Sequence, residues 1–118
     1  MKTVDDKALQ REILLGFWKV HILCHAAQAP LVGHWMLQEL RRHGYDVSPG
    51  TLYPILKRME ALGWLRCEAS PETGPKAPRP YVLTDRGRVV LAALAEPLRE
   101  LTAEAGAVNP PRKPTEQP

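Results

Sequence analysis

The sequence has few cysteines, few aromatic residues and no long apolar run, and these shortages exclude several classes of protein. Cys24 and Cys67 are too few for the disulfide framework of a small secreted domain. No apolar run approaches the ~20 residues of a membrane-spanning helix, and the first residues lack the apolar core of a signal peptide. We therefore expect a cytoplasmic protein with reduced thiols and no membrane partner.

The motifs of common enzymes are also missing. The sequence has no glycine-rich phosphate loop and no nucleophile elbow, and its acidic residues are scattered. One cluster has metal-ligand spacing, because His21, Cys24 and His25 form an H-x-x-C-H motif that suits zinc or copper. The same residues also fit a small buried thiol beside surface or interface histidines. We assign no catalytic residue, cofactor or metal site, and metal or thiol sensing at this motif stays an alternative.

The positive charge of the chain is small but localised. With 118 residues the chain is long enough for one domain with a modest core, and its net charge is +3. Residues 34–88 contain nine Lys or Arg and six Asp or Glu, while the rest of the chain balances at seven of each. A positive excess around one segment is typical of a nucleic-acid surface.

The most informative segment spans residues 48–63. Apolar residues recur there at the spacing of one helix face: Leu52, Ile55, Leu56, Met59 and Leu62. Ser48 and Pro49 are a helix start signal. The opposite face is small, hydroxylic and basic, a surface that can approach a phosphate backbone and contact base edges. If the helix starts at Ser48, Pro54 lies in its second turn, removes one hydrogen bond and should bend the helix. If Thr51 is the N-cap instead, Pro54 lies in the first turn and removes no helical hydrogen bond.

The residues before this segment predict two helices. The first spans residues 5–27 and is apolar on two sides, which indicates that it contacts both its own domain and a partner subunit. The second spans residues 34–43 and ends with the cations Arg41 and Arg42. Only four residues separate it from the segment at 48–63, so these two helices form a helix-turn-helix in which the later one is the recognition helix.

After residue 63 the apolar period changes from about 3.6 to about 2, which predicts a strand over residues 64–69. A proline-rich loop with Lys76 and Arg79 follows, and residues 81–83 form the returning strand. The result is a mainly α (α+β) winged helix-turn-helix. We expect a DNA-binding domain over residues 1–83, a dimerisation helix over 84–105 that Pro97 should kink, and a disordered tail over 106–118.

A longer motif consists of the segment from Pro49 to Pro54 followed by Leu56, Arg58, Met59, Glu60 and Gly63. This motif resembles the recognition helix of the PadR-like transcriptional regulators. The resemblance covers about residues 8–105, including Pro30, Leu31, Gly33, residues 79–81 and residues 83–88. It implies a winged-helix repressor that dimerises through its C-terminal helix and is relieved by a small ligand. The short last helix resembles the compact branch of the family. Val32 to Trp35 replace the usual His-Gly-Tyr, and the wing is unusually rich in proline, so ligand and operator preferences stay open.

We therefore expect a homodimer that binds double-stranded DNA at a pseudo-palindromic operator, with half-sites about one helical turn apart. The expected DNA contacts are Ser48, Gly50, Thr51, Tyr53, Pro54, Lys57, Arg58, Arg41, Arg42, Lys76 and Arg79. The expected dimerisation residues are Leu14, Phe17, Val90, Leu94, Leu98 and Leu101. A planar apolar effector is expected between the subunits, against Trp18, Leu14 and Ile22. Two alternatives stay open: Trp18 only fills the dimer core, or the winged helix binds a protein instead of DNA.

Overall fold

The computed structural model describes residues 7–69 and 78–108. The expected frayed start at residues 1–4, the caps Asp5 and Asp6 and the wing cation Lys76 lie outside the described residues. The part of the expected tail from residue 109 onward also lies outside the described residues. Within the described ranges the chain forms helices around a small two-stranded sheet, as the sequence predicted.

The N-terminal helix is one continuous helical stretch in three parts: α1 (Lys7–Leu9), a π-helical segment (Gln10–Leu14) and α2 (Leu15–Ala26). In the π-helical segment the Leu15 N–H donates to the carbonyl of Gln10, five residues earlier. The sequence predicted a plain α-helix, because apolar spacing does not report this change of hydrogen bonding. The inner side of the helix is buried: Leu14, Trp18, Ile22, Leu23 and Ala26.

Helix α3 (Gly33–Arg42) and helix α4 (Pro49–Ala61) form the helix-turn-helix, close to the predicted bounds. Gly44, with φ of 94°, ends α3, and the N–H of Tyr45 donates to the Leu40 carbonyl over 3.2 Å. A φ in this range suits glycine, which confirms Gly44 as the stop. The apolar side chains of α3 and α4 meet in the core: Met36, Leu37, Leu40, Leu52, Ile55, Leu56 and Met59.

The start of α4 decides between the two interpretations of Pro54. Ser48 is the N-cap residue and its carbonyl accepts from the N–H groups of Thr51 and Leu52, each at 3.0 Å. Pro54 therefore lies in the second turn, where its missing N–H removes one helical hydrogen bond. The Ser48 hydroxyl makes no capping bond to the backbone and lies 3.3 Å from the Thr51 hydroxyl instead. The start signal at Ser48 and Pro49 had implied a cap by the Ser48 hydroxyl, and that part of the prediction is wrong.

The wing consists of β1 (Leu65–Cys67) and β2 (Tyr81–Leu83), which pair antiparallel with Leu65 opposite Leu83. The returning strand has the predicted bounds, whereas the first strand is shorter than residues 64–69. Tyr81 also pairs with Leu31, just before α3: the Tyr81 N–H donates to the Leu31 carbonyl over 2.7 Å, and the reverse bond is 3.0 Å. This bridge attaches the base of the wing to the helix-turn-helix.

Helix α5 (Asp85–Ala107) starts at the capping residue Thr84 and passes through Pro97 without interruption of the helix. It includes Gly106 and Ala107, so the expected disordered tail does not begin at residue 106. Its first half packs on the core through Val90, Leu91 and Leu94. Every residue from 95 to 108 is exposed. Neither α5 nor any other described helix combines the length and the apolar composition that crossing a membrane requires.

Candidate nucleic-acid interface

The outer face of α4 contains the residues that the sequence predicted for DNA contact. Tyr53, Pro54, Lys57 and Arg58 are exposed, as are Ser48 and Gly50, while Thr51 is half-buried. The opposite face supplies four buried side chains to the core, so α4 has one orientation in the fold. The outer face is therefore a fixed surface, small near its start and basic further along.

A cleft of about 570 Å³ separates α4 from the start of α3 and the base of the wing. Tyr53 and Lys57 line it from α4, and Arg79 lines it from the residues before β2. The acidic residue Glu60 and the phenol of Tyr81 also line it. Burial, then the nearby Glu60 carboxylate, raises the pKa of Tyr81. The phenol therefore keeps its proton, and the cleft offers cations and hydroxyl groups to an anionic backbone.

The two cations at the end of α3 already have protein partners. Arg41 Nε donates to the Val47 carbonyl over 3.1 Å, which connects α3 to the turn before α4. Arg42 donates to both carboxylate oxygens of Glu39, at 3.1 and 2.8 Å. These hydrogen bonds, with the Arg42 charge and the bond from His43, lower the pKa of Glu39 to about 2. Arg42 is thus paired with the Glu39 carboxylate, although its side chain stays 67% exposed, and its contact with a phosphate stays a prediction.

On the wing, Arg79 is exposed beside the cleft, and Lys76 lies outside the described residues. Of the predicted DNA contacts, Tyr53, Lys57 and Arg79 thus line one cleft. The other predicted contacts on α4 are not part of its lining, and Arg41 and Arg42 have partners within the chain. The signal that could have shown this pairing is the spacing of Glu39 and Arg42, three residues apart on α3.

The model of the transcriptional regulator PadR-like family matches residues 22–93, more than half of the chain. The chain belongs to the PadR-like family. It is also 47% identical over 94 residues to the transcriptional regulator Rv3488 of Mycobacterium tuberculosis, a match that covers 80% of this chain and 87% of that protein. The protein is therefore a transcriptional regulator, and the family consists of regulators rather than enzymes.

Two solved structures show the same fold. The PadR-like transcription factor from Bacteroides fragilis has a TM-score of 0.68 at 26% identity, with 87% of this chain and 100% of that chain covered. The PadR family transcriptional regulator from Eggerthella lenta also has a TM-score of 0.68, at 27% identity, with 86% and 92% covered. These likenesses agree with the winged helix built above from periodicity and packing. PadR-like regulators bind DNA, which gives the outer face of α4 its expected partner.

An apolar groove of about 380 Å³ lies between α2 and α5 of this PadR-like chain. Phe17, Val20, His21 and Cys24 line it from α2, and Leu98, Leu101, Thr102 and Ala105 line it from α5. Of the predicted dimerisation residues, Phe17 and Leu101 are about half exposed, at 49% and 57%, and Leu98 is also exposed. Val90 and Leu94 pack partly on the core of their own chain. Leu14 is buried in that core, so the expectation that it faces a partner is corrected.

The expected effector residues are core residues of a single chain. Trp18 is 1% exposed, Ile22 is fully buried, and Trp18 packs edge-on against Tyr45 with ring centroids 5.7 Å apart. The Trp18 indole N–H has no hydrogen-bond acceptor among the described residues. Trp18, Leu14 and Ile22 therefore do not line a seam between subunits, and the expected stacking platform at Trp18 is wrong. The two apolar sides of the N-terminal helix did not reveal which side faces its own domain.

The histidines of the H-x-x-C-H motif belong to a network that the motif did not predict. His25 Nε2 lies 3.6 Å and His43 Nε2 lies 3.2 Å from the same Glu39 carboxylate oxygen. The His21 ring is 5.4 Å from that of His43, between centroids. Burial, then the neighbouring His43 and His25, lowers the pKa of His21, while Glu39 opposes this. Among residues 7–69 and 78–108, no three potential ligands are placed to hold a metal ion.

Proposed function

We propose that this PadR-like regulator binds an operator as a homodimer and represses transcription until a small apolar ligand releases it. One observation supports the DNA-binding part above all others. Helix α4 buries its apolar face completely and exposes a face with Lys57 and Arg58 and no carboxylate except Glu60 at its margin. Acidic residues on this face would have favoured a protein partner, whereas Lys57 and Arg58 favour a phosphate backbone.

The proposed contacts follow from the position of each residue on α4. Gly50 and Pro54 present little side chain, which lets the helix backbone approach the groove closely. Thr51, Tyr53 and Lys57 are proposed to contact base edges and the adjacent sugar-phosphate. Arg58 on α4 and Arg79 beside the wing are proposed to contact flanking phosphates, which positions the helix without specifying sequence.

The dimer is proposed to form at the groove between α2 and α5. Phe17, Leu98 and Leu101 expose apolar surface there, and the second half of α5 has no core of its own chain to cover it. A second copy of the chain can cover this surface by symmetry, because an isologous interface presents the same residues from both sides. Two copies of α4 would then contact half-sites about one helical turn apart on a pseudo-palindrome.

The ligand is proposed to bind in the same groove, whose volume of about 380 Å³ suits a small planar apolar molecule. Phe17 supplies the aromatic surface there in place of the buried Trp18. A ligand would release DNA only if it favours a dimer geometry with a different spacing of the two α4 helices. A ligand that binds both dimer geometries equally tightly does not change the equilibrium between them. The groove is at the proposed dimer seam, which is the position such coupling requires.

The proposal is tested by selecting duplexes that bind the protein from a randomised library and measuring their affinity by fluorescence anisotropy. We expect a selected duplex with an inverted repeat, two chains bound per duplex, and affinity that falls steeply as salt is raised. Binding that is equally tight to a scrambled duplex would contradict an operator-specific regulator. No binding to any duplex would contradict the DNA-binding function itself.

A further inference from the structure

Gly33 is a buried glycine whose backbone does not require glycine. It is the first residue of α3, and the described residues with positive φ are Gly44 and Gly63 alone. Alanine is about 1 kcal/mol more favourable than glycine inside a helix. Neither φ nor helix propensity therefore explains a glycine at position 33, and the reason must lie in what surrounds its Cα.

The ring of Tyr53 occupies that space. A Cβ added to Gly33 would lie 2.4 Å from Cε1 of Tyr53 and 3.1 Å from its Cδ1 and Cζ. The ring thus packs directly on the Gly33 backbone, although Tyr53 is still 42% exposed toward the outer face of α4. A methyl group at position 33 would force the ring to move, while the exposed side chain has room to do so without disturbing the core.

We propose that Gly33 is a positioning residue for Tyr53, holding its ring in one orientation on the DNA-contacting surface. The inference rests on the proposed function, because it assigns the ring a role in contact with DNA. A side chain that is fixed before DNA arrives loses little conformational freedom on binding, whereas a mobile one must be ordered. Gly33 and Tyr53 both line the cleft with Lys57 and Arg79, so a displaced ring would also alter how a phosphate enters that cleft.

The test compares Gly33→Ala and Tyr53→Ala with their double variant on a duplex selected from a randomised library. Gly33→Ala is expected to weaken binding of the selected duplex by roughly 3- to 10-fold, the cost of ordering one side chain. In the Tyr53→Ala background the same substitution should have no effect within about twofold, since no ring is left to displace. Gly16→Ala is the matched control, because a Cβ at Gly16 meets no atom within 4 Å. It should leave the affinity unchanged.

A second readout does not depend on DNA. With ¹³C-labelled tyrosine, the ring signals of Tyr53 should change in Gly33→Ala, while those of Tyr45, which packs against Trp18, should stay in place. Three results would each overturn the inference. The first is a Gly33→Ala variant that binds the selected duplex as tightly as the parent does. The others are an equal loss of affinity on adding Gly33→Ala to the parent and to Tyr53→Ala, and Tyr53 ring signals that do not change. If the Gly33→Ala variant does not fold, adding Tyr53→Ala must restore folding. A double variant that stays unfolded would also overturn the inference. A parent that binds no duplex refutes the proposed function instead, and the ring signals still decide whether Gly33 positions Tyr53.

Discussion

The hydroxyl of Thr84 connects the residue that follows the end of α4 to the start of α5. It donates to the Gly63 carbonyl over 2.5 Å and accepts from the Gly87 N–H over 2.9 Å. Gly63 itself has φ of 83°, the left-handed conformation that ends a helix. One side chain thus satisfies backbone groups at both helix ends, so the direction of α5 is tied to the direction of α4.

The first prediction concerns this connection. Thr84→Val removes the hydroxyl and keeps the shape, so the Gly87 N–H loses its cap and the Gly63 carbonyl loses its donor. We expect the free energy of unfolding to fall by about 1–2 kcal/mol, measured by urea denaturation. Thr84→Ser keeps the hydroxyl, so its free energy of unfolding should fall less than that of Thr84→Val. Equal stability of the valine and serine variants would show that the hydroxyl bonds contribute nothing.

The second prediction concerns Trp18 as a core residue. Trp18→Ala should lower the free energy of unfolding by about 3–5 kcal/mol, because a large buried side chain is replaced by a cavity. Trp35 is 46% exposed, so Trp35→Ala is the comparison and should cost much less. Urea denaturation of both variants measures the difference. Similar losses at the two positions would mean that Trp18 is not buried as described.

The third prediction concerns pH. Burial and the neighbouring His43 and His25 lower the pKa of His21 below 6.5. The unfolded chain therefore takes up a proton at His21 more readily than the folded chain does. It follows that stability is highest above pH 6.5 and falls as the pH drops below that value.

Denaturation midpoints measured between pH 8 and pH 5 test this expectation. His21→Gln should reduce the loss of stability on acidification. His34→Gln, at an exposed position on α3, should leave the loss as it is in the parent. An acid-induced loss in His21→Gln as large as in the parent would place the titrating group elsewhere in the histidine network.

The fourth prediction concerns the groove between α2 and α5. Leu101→Glu places a charge on the exposed apolar surface, so the proposed dimer should dissociate to monomers in sedimentation velocity. Ala103→Glu adds the same charge to α5 outside the groove lining, and that variant should stay dimeric. A Leu101→Glu protein that sediments as the parent does would remove this groove from the interface.

The sequence predicted the elements that depend on local patterns. Helix α4 follows from an apolar period of about 3.6 and from the Ser48-Pro49 start signal. Strand β1 follows from the change to a period of about 2, and β2 follows as the strand that returns after the proline-rich loop. The same periodicity separated the buried face of α4 from the exposed face with Lys57. What it determined less well was where elements end, because α5 continues past Ala105 to Ala107.

Tertiary contacts were beyond what periodicity can show. The Leu31–Tyr81 bridge and the Tyr53–Gly33 contact join residues that are far apart in the chain, and no local pattern marks them. Trp18 was misplaced for a related reason: a helix that is apolar on two sides does not reveal which side its own domain covers. The pairing of Arg42 with Glu39 was also not predicted, although the two residues lie three positions apart on the same helix.

The central claim is that the outer face of α4 recognises DNA, and the fifth prediction tests it at Lys57. Fluorescence anisotropy should compare a duplex selected from a randomised library with a scrambled duplex, at several salt concentrations. Lys57→Ala should weaken the binding free energy for the selected duplex by about 1–3 kcal/mol. The variant should also discriminate less between the selected and the scrambled duplex. Arg42→Ala, which loses a cation already paired with Glu39, should change discrimination little. Full discrimination by Lys57→Ala at every salt concentration would contradict the account.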